Sequence, residues 1–158
     1  MLMTTIGYDK DAADNIIDEF GARPEMLVQI LQAFVQRFAW IPEEAIRHLA
    51  EKLNRSRADV HGVVSYYHDF RTRPPGKHVV RICQAEACQS MGSRSLTEHA
   101  SNSLGVDMHD TKNDITLEPV YCLGNCACSP AIMIDNKTYG RVSHERFDQL
   151  VGAMRQSD

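Results

Sequence analysis

His78-Val-Val-Arg-Ile-Cys83-Gln-Ala-Glu-Ala-Cys88 is a run of strand-forming residues that ends in two cysteines with four residues between them. The β-branched Val79, Val80 and Ile82 favour extended backbone, so the first cysteine falls where a strand would stop. A second stretch, Val120-Tyr-Cys122-Leu-Gly-Asn-Cys126, repeats the arrangement with three residues between its cysteines. Each pair therefore opens a loop at a strand end, and such loops gather at one end of a sheet. Four of the five cysteines lie in these two segments, and the first 70 residues contain none.

Four thiolates brought together repel one another unless a cation or cluster takes up their charge, or unless the thiols pair. Zinc, an iron–sulfur cluster and redox disulfides are the three candidates. Structural zinc commonly uses knuckles with two to four residues between ligands, and a thioredoxin-type dithiol has two. In a [2Fe-2S] rhombus each iron takes two thiolates, which suits one cysteine pair per iron. Ala85, Ala87, Gly92, Gly124 and Ala127 are small, so backbone N–H groups can come close to cluster sulfurs. Spacing alone leaves the three open. Cys128, one residue beyond Cys126, reads as a small buried thiol.

The chain of 158 residues is long enough for one domain or two small ones. Hydrophobic residues make up 43% and charged residues 24%, as in ordinary globular proteins. A net charge of −4 carries no footprint of nucleic-acid binding, and no basic run suggests a membrane surface. Met1 to Lys10 has neither the basic start nor the apolar core of a signal peptide. The longest uncharged run, Pro119 to Ile134, is too short for a membrane span. With an odd number of clustered cysteines, these features predict a cytoplasmic chain.

Ahead of the cysteines, apolar residues recur at helical spacing. Ala13, Ile16, Ile17 and Phe20 share a face over residues 9 to 20, and Gly21 supplies a stop. Leu27, Ile30, Leu31, Phe34 and Phe38 form a second stripe after Pro24, and Ile46, Leu49, Ala50 and Leu53 a third after Pro42. Ser56 and Asp59 spell a capping box for a fourth helix bearing Val60, Val63, Val64 and Tyr67. The stretch Arg71-Thr-Arg-Pro-Pro-Gly-Lys77 breaks the pattern and marks a boundary.

Beyond it the texture changes. His78 to Cys83 and Thr116 to Cys122 read as strands, Ser93 to Leu104 as a helix ended by Gly105. Ala131–Ile134 and Lys137–Val142 flank a tight turn at Asp135-Asn136, and Ser143 caps a last helix with Phe147, Leu150, Val151 and Met154 inward. The expected class is α+β: a four-helix segment over residues 1–73, then a small α/β sandwich of the thioredoxin kind over 74–158.

No phosphate-cradling glycine motif for NAD, flavin or ATP occurs, so the chain is not expected to be a complete dehydrogenase. Its seven histidines lack close metal-ligand spacing and read mostly as surface or helix-face residues. Tyr66, Tyr67, His68 and Phe70 read as core packing, and Arg71, Arg73 and Arg81 as solvated charges. Asp18, Glu19, Glu43 and Glu44 read as solvated helix faces.

Taken together, Phe38-Ala-Trp-Ile-Pro42, Tyr66-Tyr-His-Asp-Phe70, Pro75-Gly-Lys, Cys83-x4-Cys88 with Gly92, and Cys122-Leu-Gly-x-Cys126 with Pro130 resemble the thioredoxin-like [2Fe-2S] ferredoxin family. This is the family of the 24-kDa subunit of respiratory NADH dehydrogenase, and the resemblance runs from about Asp14 to Met154. Within it, Val60–Phe70, Ala85–Gly92 and Glu118–Pro130 look most like the gamma subunit of soluble NAD-dependent formate dehydrogenases. Tyr66 stands where the wider family commonly has Phe. Carried over by position, the resemblance implies a [2Fe-2S] cluster on Cys83, Cys88, Cys122 and Cys126, with no catalytic residue, and gives Cys128 no role.

It also implies partners: a larger iron–sulfur subunit that holds FMN and binds NAD, and a formate-oxidising subunit with the molybdenum cofactor. The chain would then be an electron-transfer subunit of a formate dehydrogenase. The equivalent subunit of NADH:quinone oxidoreductase or of an NAD-reducing hydrogenase is the neighbouring reading. A zinc-bound protein-interaction module and a thiol–disulfide oxidoreductase are the readings of other classes.

Overall fold

The computed structural model describes residues 8–156, so most of the Met1 to Lys10 segment lies outside the described residues. The chain divides into two compact units, Met1–Pro74 and Pro75–Asp158.

In the first unit, α1 (Lys10–Glu19) is capped by Asp9, whose carboxylate accepts from the N–H groups of Asp11 and Ala12. A short 3-10 turn (Pro24–Met26) leads into α2 (Leu27–Phe38), and α3 (Glu43–Lys52) and α4 (Arg57–Tyr66) follow. The expected stripes are buried: Ala13, Ile17, Ile30, Leu31, Phe34, Phe38, Ile46, Leu49 and Val60 share one core. The capping box forms in both directions, Ser56 Oγ accepting from Asp59 N–H and Asp59 accepting from Ser56 N–H. Such a cap contributes about 1 kcal/mol. Glu43 faces solvent, where it pairs with Arg47 and Arg57.

Two expectations fail here. Tyr67 does not continue α4 but leaves it in extended backbone, and Tyr66 and Tyr67 are 75% and 43% exposed while Phe70 alone of that patch is core. Tyr66 closes α4 on its solvent side, and from Tyr67 onward the helical spacing no longer describes a face. His48 is buried too, because Tyr8 Oη lies 2.6 Å from its Nδ1 and Asp14 lies 2.9 Å from its Nε2. The ring is thus hydrogen-bonded at Nδ1 and faces a carboxylate at Nε2 without forming a hydrogen bond to it.

The second unit is built on a five-stranded sheet of order β2-β3-β1-β4-β5. Its members are β1 (His78–Cys83), β2 (Asp110–Lys112), β3 (Ile115–Val120), β4 (Ile132–Ile134) and β5 (Lys137–Tyr139). β1 and β3 run parallel, with Cys83 opposite Val120, and the other pairings are antiparallel. Between β1 and β2 lie a five-residue helix α5 (Glu86–Ser90) and α6 (Ser93–Leu104); α7 (His144–Gln156) follows β5.

Alternation along the strands puts Val80, Ile82, Ile115, Leu117, Ile132 and Ile134 in one core with Leu96, Ala100 and Leu104 of α6 and Phe147, Val151 and Met154 of α7. The opposite face carries Arg81 and Glu118, directly opposed in the parallel register and joined by an ion pair at 3.3 Å. Arg81 is therefore not the solvated charge its sequence suggests. His78 is buried against Asp135, its Nδ1 2.6 Å from Oδ2.

Strand β2 is not among the expected elements. It is an exposed edge strand, and its one sequence signal is the Asn113-Asp114 turn, both residues at positive φ. Strands β3 and β5 stop at Val120 and Tyr139, short of the expected Cys122 and Val142. For β3 the reason is local: Cys122 has φ +141, a conformation that cannot continue a ladder.

Candidate metal centre

Because β1 and β3 are parallel neighbours in register, the chain leaves both at the same end of the sheet. Both cysteine loops start there. Cys83 is the last residue of β1, and its N–H still donates to Ala131 O at 3.0 Å; Gln84 N–H then donates to Val120 O at 2.8 Å. The first loop is pinned to α6 by Gln84, whose amide donates to Thr97 Oγ1 at 2.8 Å, and by Ser93, whose hydroxyl donates to the Cys83 carbonyl. Gln89 closes it by donating to Gln84 O at 2.7 Å. α5 then carries Cys88 back beside Cys83.

The second loop turns at Cys122. Its φ of +141 lies where residues with a side chain are rarely found, which costs of order 1–3 kcal/mol and persists only where the surroundings impose it. Gly124 follows at φ +69 and donates its N–H to Cys122 Sγ at 3.3 Å. A short 3-10 turn, Cys126–Cys128, completes the loop.

All five cysteines are free thiols. Cys83 and Cys88 are buried with Ala131, whereas Cys122 and Cys126 are exposed, so the site has an inner and an outer pair. Within the inner pair the sulfurs are hydrogen-bonded to each other; burial pushes the Cys83 thiol up, against N–H groups of Ala85 and Leu123 that favour its thiolate. Burial also opposes the Cys88 thiolate, yet the Ser129 hydroxyl and the Ala131 N–H hold that thiol below its ordinary value. In the outer pair the charge of Cys122 and then its hydrogen bond raise Cys126, with a smaller contribution from Cys88. That repulsion is what a bound cationic centre removes.

Cys83 is hydrogen-bonded to Cys88 and Cys126 to Cys122, so the sulfurs are grouped by twos, the pattern of a rhombus whose irons each take two thiolates. N–H groups of Ala85, Leu123, Ala131 and Gly124 aimed at three of the sulfurs supply hydrogen bonds that favour a negatively charged cluster. The donor set therefore fits a [2Fe-2S] group.

Residues 13–155 match the thioredoxin-like [2Fe-2S] ferredoxin family. This chain belongs to that family. Its cofactor is accordingly a [2Fe-2S] cluster. Among its relatives is an NADH-quinone oxidoreductase subunit of Pseudomonas aeruginosa, 34% identical over 128 residues that cover 80% of this chain and 77% of the relative. The corresponding NADH-quinone oxidoreductase subunit of Escherichia coli K12 is 30% identical, covering 78% of this chain and 76% of its own. The fold is shared with an NAD+-reducing [NiFe]-hydrogenase in the air-oxidized state: TM-score 0.68, 19% identity, 84% of this chain and 23% of the hydrogenase chain. This family member thus spans about a quarter of that hydrogenase chain. The two curated relatives are both NADH-quinone oxidoreductase subunits, which supports the family and not the formate dehydrogenase branch expected from the sequence. Among the described residues no helix is long and apolar enough to cross a membrane.

Cys128 is half-exposed, not buried as expected, because it sits on the 3-10 turn at the end of the loop. Its carbonyl accepts from Arg141 N–H at 2.6 Å. The approach requires Gly140: a Cβ there would lie 2.6 Å from Cys128 Cβ and 2.8 Å from Cys128 O. Gly140→Ala is expected to cost about 1–3 kcal/mol and to lower iron content by displacing the second loop. Thermal unfolding together with iron stoichiometry checks it, and a variant with unchanged values refutes it. Gly140, Gln84, Ser93 and Ser129 carry no signal along the chain, since each acts through a contact distant in sequence.

Proposed function

We propose that Cys83, Cys88, Cys122 and Cys126 ligate the [2Fe-2S] cluster, and that the chain is a one-electron carrier subunit, not an enzyme by itself, exchanging electrons with the FMN of an NAD-binding partner. The carrying observation is the placement of two cysteine pairs at one sheet end, the inner pair buried and the outer pair open to solvent. Burial of Cys83 and Cys88 keeps water from one side, while the exposed Cys122 and Cys126 leave the other side within reach of a docked redox partner. Met91 and Tyr121, 61% and 64% exposed, follow the first pair and precede the second, and would meet such a partner. The cluster supplies one-electron chemistry, at a potential that its hydrogen bonds and exposure tune.

The relatives favour a parent complex of the NADH-quinone oxidoreductase type. A formate dehydrogenase with a molybdenum-containing subunit remains the second reading, favoured by the stretches Val60–Phe70, Ala85–Gly92 and Glu118–Pro130. Purification of the native assembly separates them: reduction of quinone by NADH supports the first, and formate-dependent NAD reduction supports the second. For the carrier itself, reduced protein is expected to give the EPR signal of a [2Fe-2S]+ centre with two irons and two acid-labile sulfides per chain. A colourless protein holding one zinc would refute the reading in favour of an interaction module.

A further inference from the structure

Ser129 lies three residues past Cys126, is 9% exposed, and joins the two cysteine loops through its hydroxyl. The oxygen accepts from Cys88 Sγ at 3.5 Å, and the hydroxyl donates to the Cys126 carbonyl at 2.7 Å. Cys88 is itself 1% exposed, so water does not compete for its sulfur.

The direction of these bonds depends on the state of Cys88. A thiol can donate to Ser129, but a metal-bound thiolate has no hydrogen to give and becomes an acceptor. Ser129 then holds one hydrogen between two acceptors, the Cys126 carbonyl and the Cys88 sulfur. The Ala131 N–H that also serves Cys88 is fixed by the backbone. A hydroxyl, by contrast, rotates about a single bond, and an added electron on the centre makes the sulfur the better acceptor.

We propose that Ser129 is a positioning residue of the electron-transfer site: its hydroxyl turns from the Cys126 carbonyl toward Cys88 Sγ on reduction, stabilises the reduced form and raises the reduction potential. This rests on Cys88 being a ligand, as proposed above. Loss of the hydroxyl does not release the loop, because the Ser129 N–H donates separately to the Cys126 carbonyl at 3.3 Å. Ser129 also borders an open groove of about 670 Å³ lined by Met91, Ala127, Pro130, Arg141 and His144.

The test is an EPR-monitored redox titration of the intact protein with Ser129→Ala, Ser129→Thr and Ser90→Ala. Ser90 is an exposed control in the first loop whose hydroxyl donates to a carbonyl, not to a sulfur. The expected result is full iron and sulfide in all three, a more negative midpoint in Ser129→Ala, and wild-type midpoints in the other two. Coincident midpoints for wild type and Ser129→Ala overturn the proposal, as does an equal shift in Ser90→Ala. Loss of iron in Ser129→Ala also overturns it, since the retained backbone tether would then have failed and the role would be structural. Separately, full iron in Cys88→Ser would refute the ligand assignment itself, whatever the Ser129 variants do.

Discussion

Cys83→Ser and Cys88→Ser are expected to leave the protein with little or no iron, and Cys126→Ser and Cys122→Ser with much reduced occupancy. The difference follows from depth. The inner sulfurs sit in a dry pocket with Ala131, where a hydroxyl in place of sulfur is a poorer ligand and no water can substitute. The outer sulfurs face solvent, so water or a neighbouring thiol can partly fill a vacated position. Cys128→Ser is expected to keep full iron. Iron and acid-labile sulfide counts on purified variants check all five, and loss in Cys128→Ser with full iron in Cys126→Ser would reverse the choice between those two.

Phe147→Ala is expected to be the most damaging change away from the sulfurs, at about 3–5 kcal/mol. Phe147 is 0% exposed, meets His99 of α6 edge-on and belongs to the core that α6 and α7 share with β1, β3 and β4. Removing the ring leaves a cavity that the close-packed helix and strands cannot close, so the transfer loss and the cavity term add. The loss reaches the site as well, since β1 and β3 carry both cysteine loops. A large fall in the urea midpoint by far-UV circular dichroism, with lower iron occupancy, is the outcome to look for. A midpoint within the error of wild type would mean that the ring is not part of this core.

Much of this could be read along the chain. The stripes of α1 to α3, the capping box at Ser56, Ser93–Leu104 and the Asp135-Asn136 turn each rest on neighbours within one helical turn or one hairpin, where periodicity and capping act. The failures cluster where contacts are distant. Tyr66 ends α4 exposed and Tyr67 continues an apolar rhythm after the helix has ended, and His48 gives no sign that Tyr8 and Asp14 enclose it. The edge strand β2 has no buried residue, so it carries no hydrophobic alternation to betray it.

The sequence by itself determined the chemistry on offer: four thiols in two spaced pairs, each following a strand, with small residues around them. Only the tertiary structure decided how that chemistry is arranged. The parallel pairing of β1 with β3 brings the loops to one end, and burial divides their sulfurs into an inner and an outer pair. Ser129 meets Cys88 across 41 residues of chain, a contact that no local pattern encodes. The reason is physical: spacing and propensity act between near neighbours, whereas burial and sulfur hydrogen bonding depend on which distant segments the sheet sets side by side.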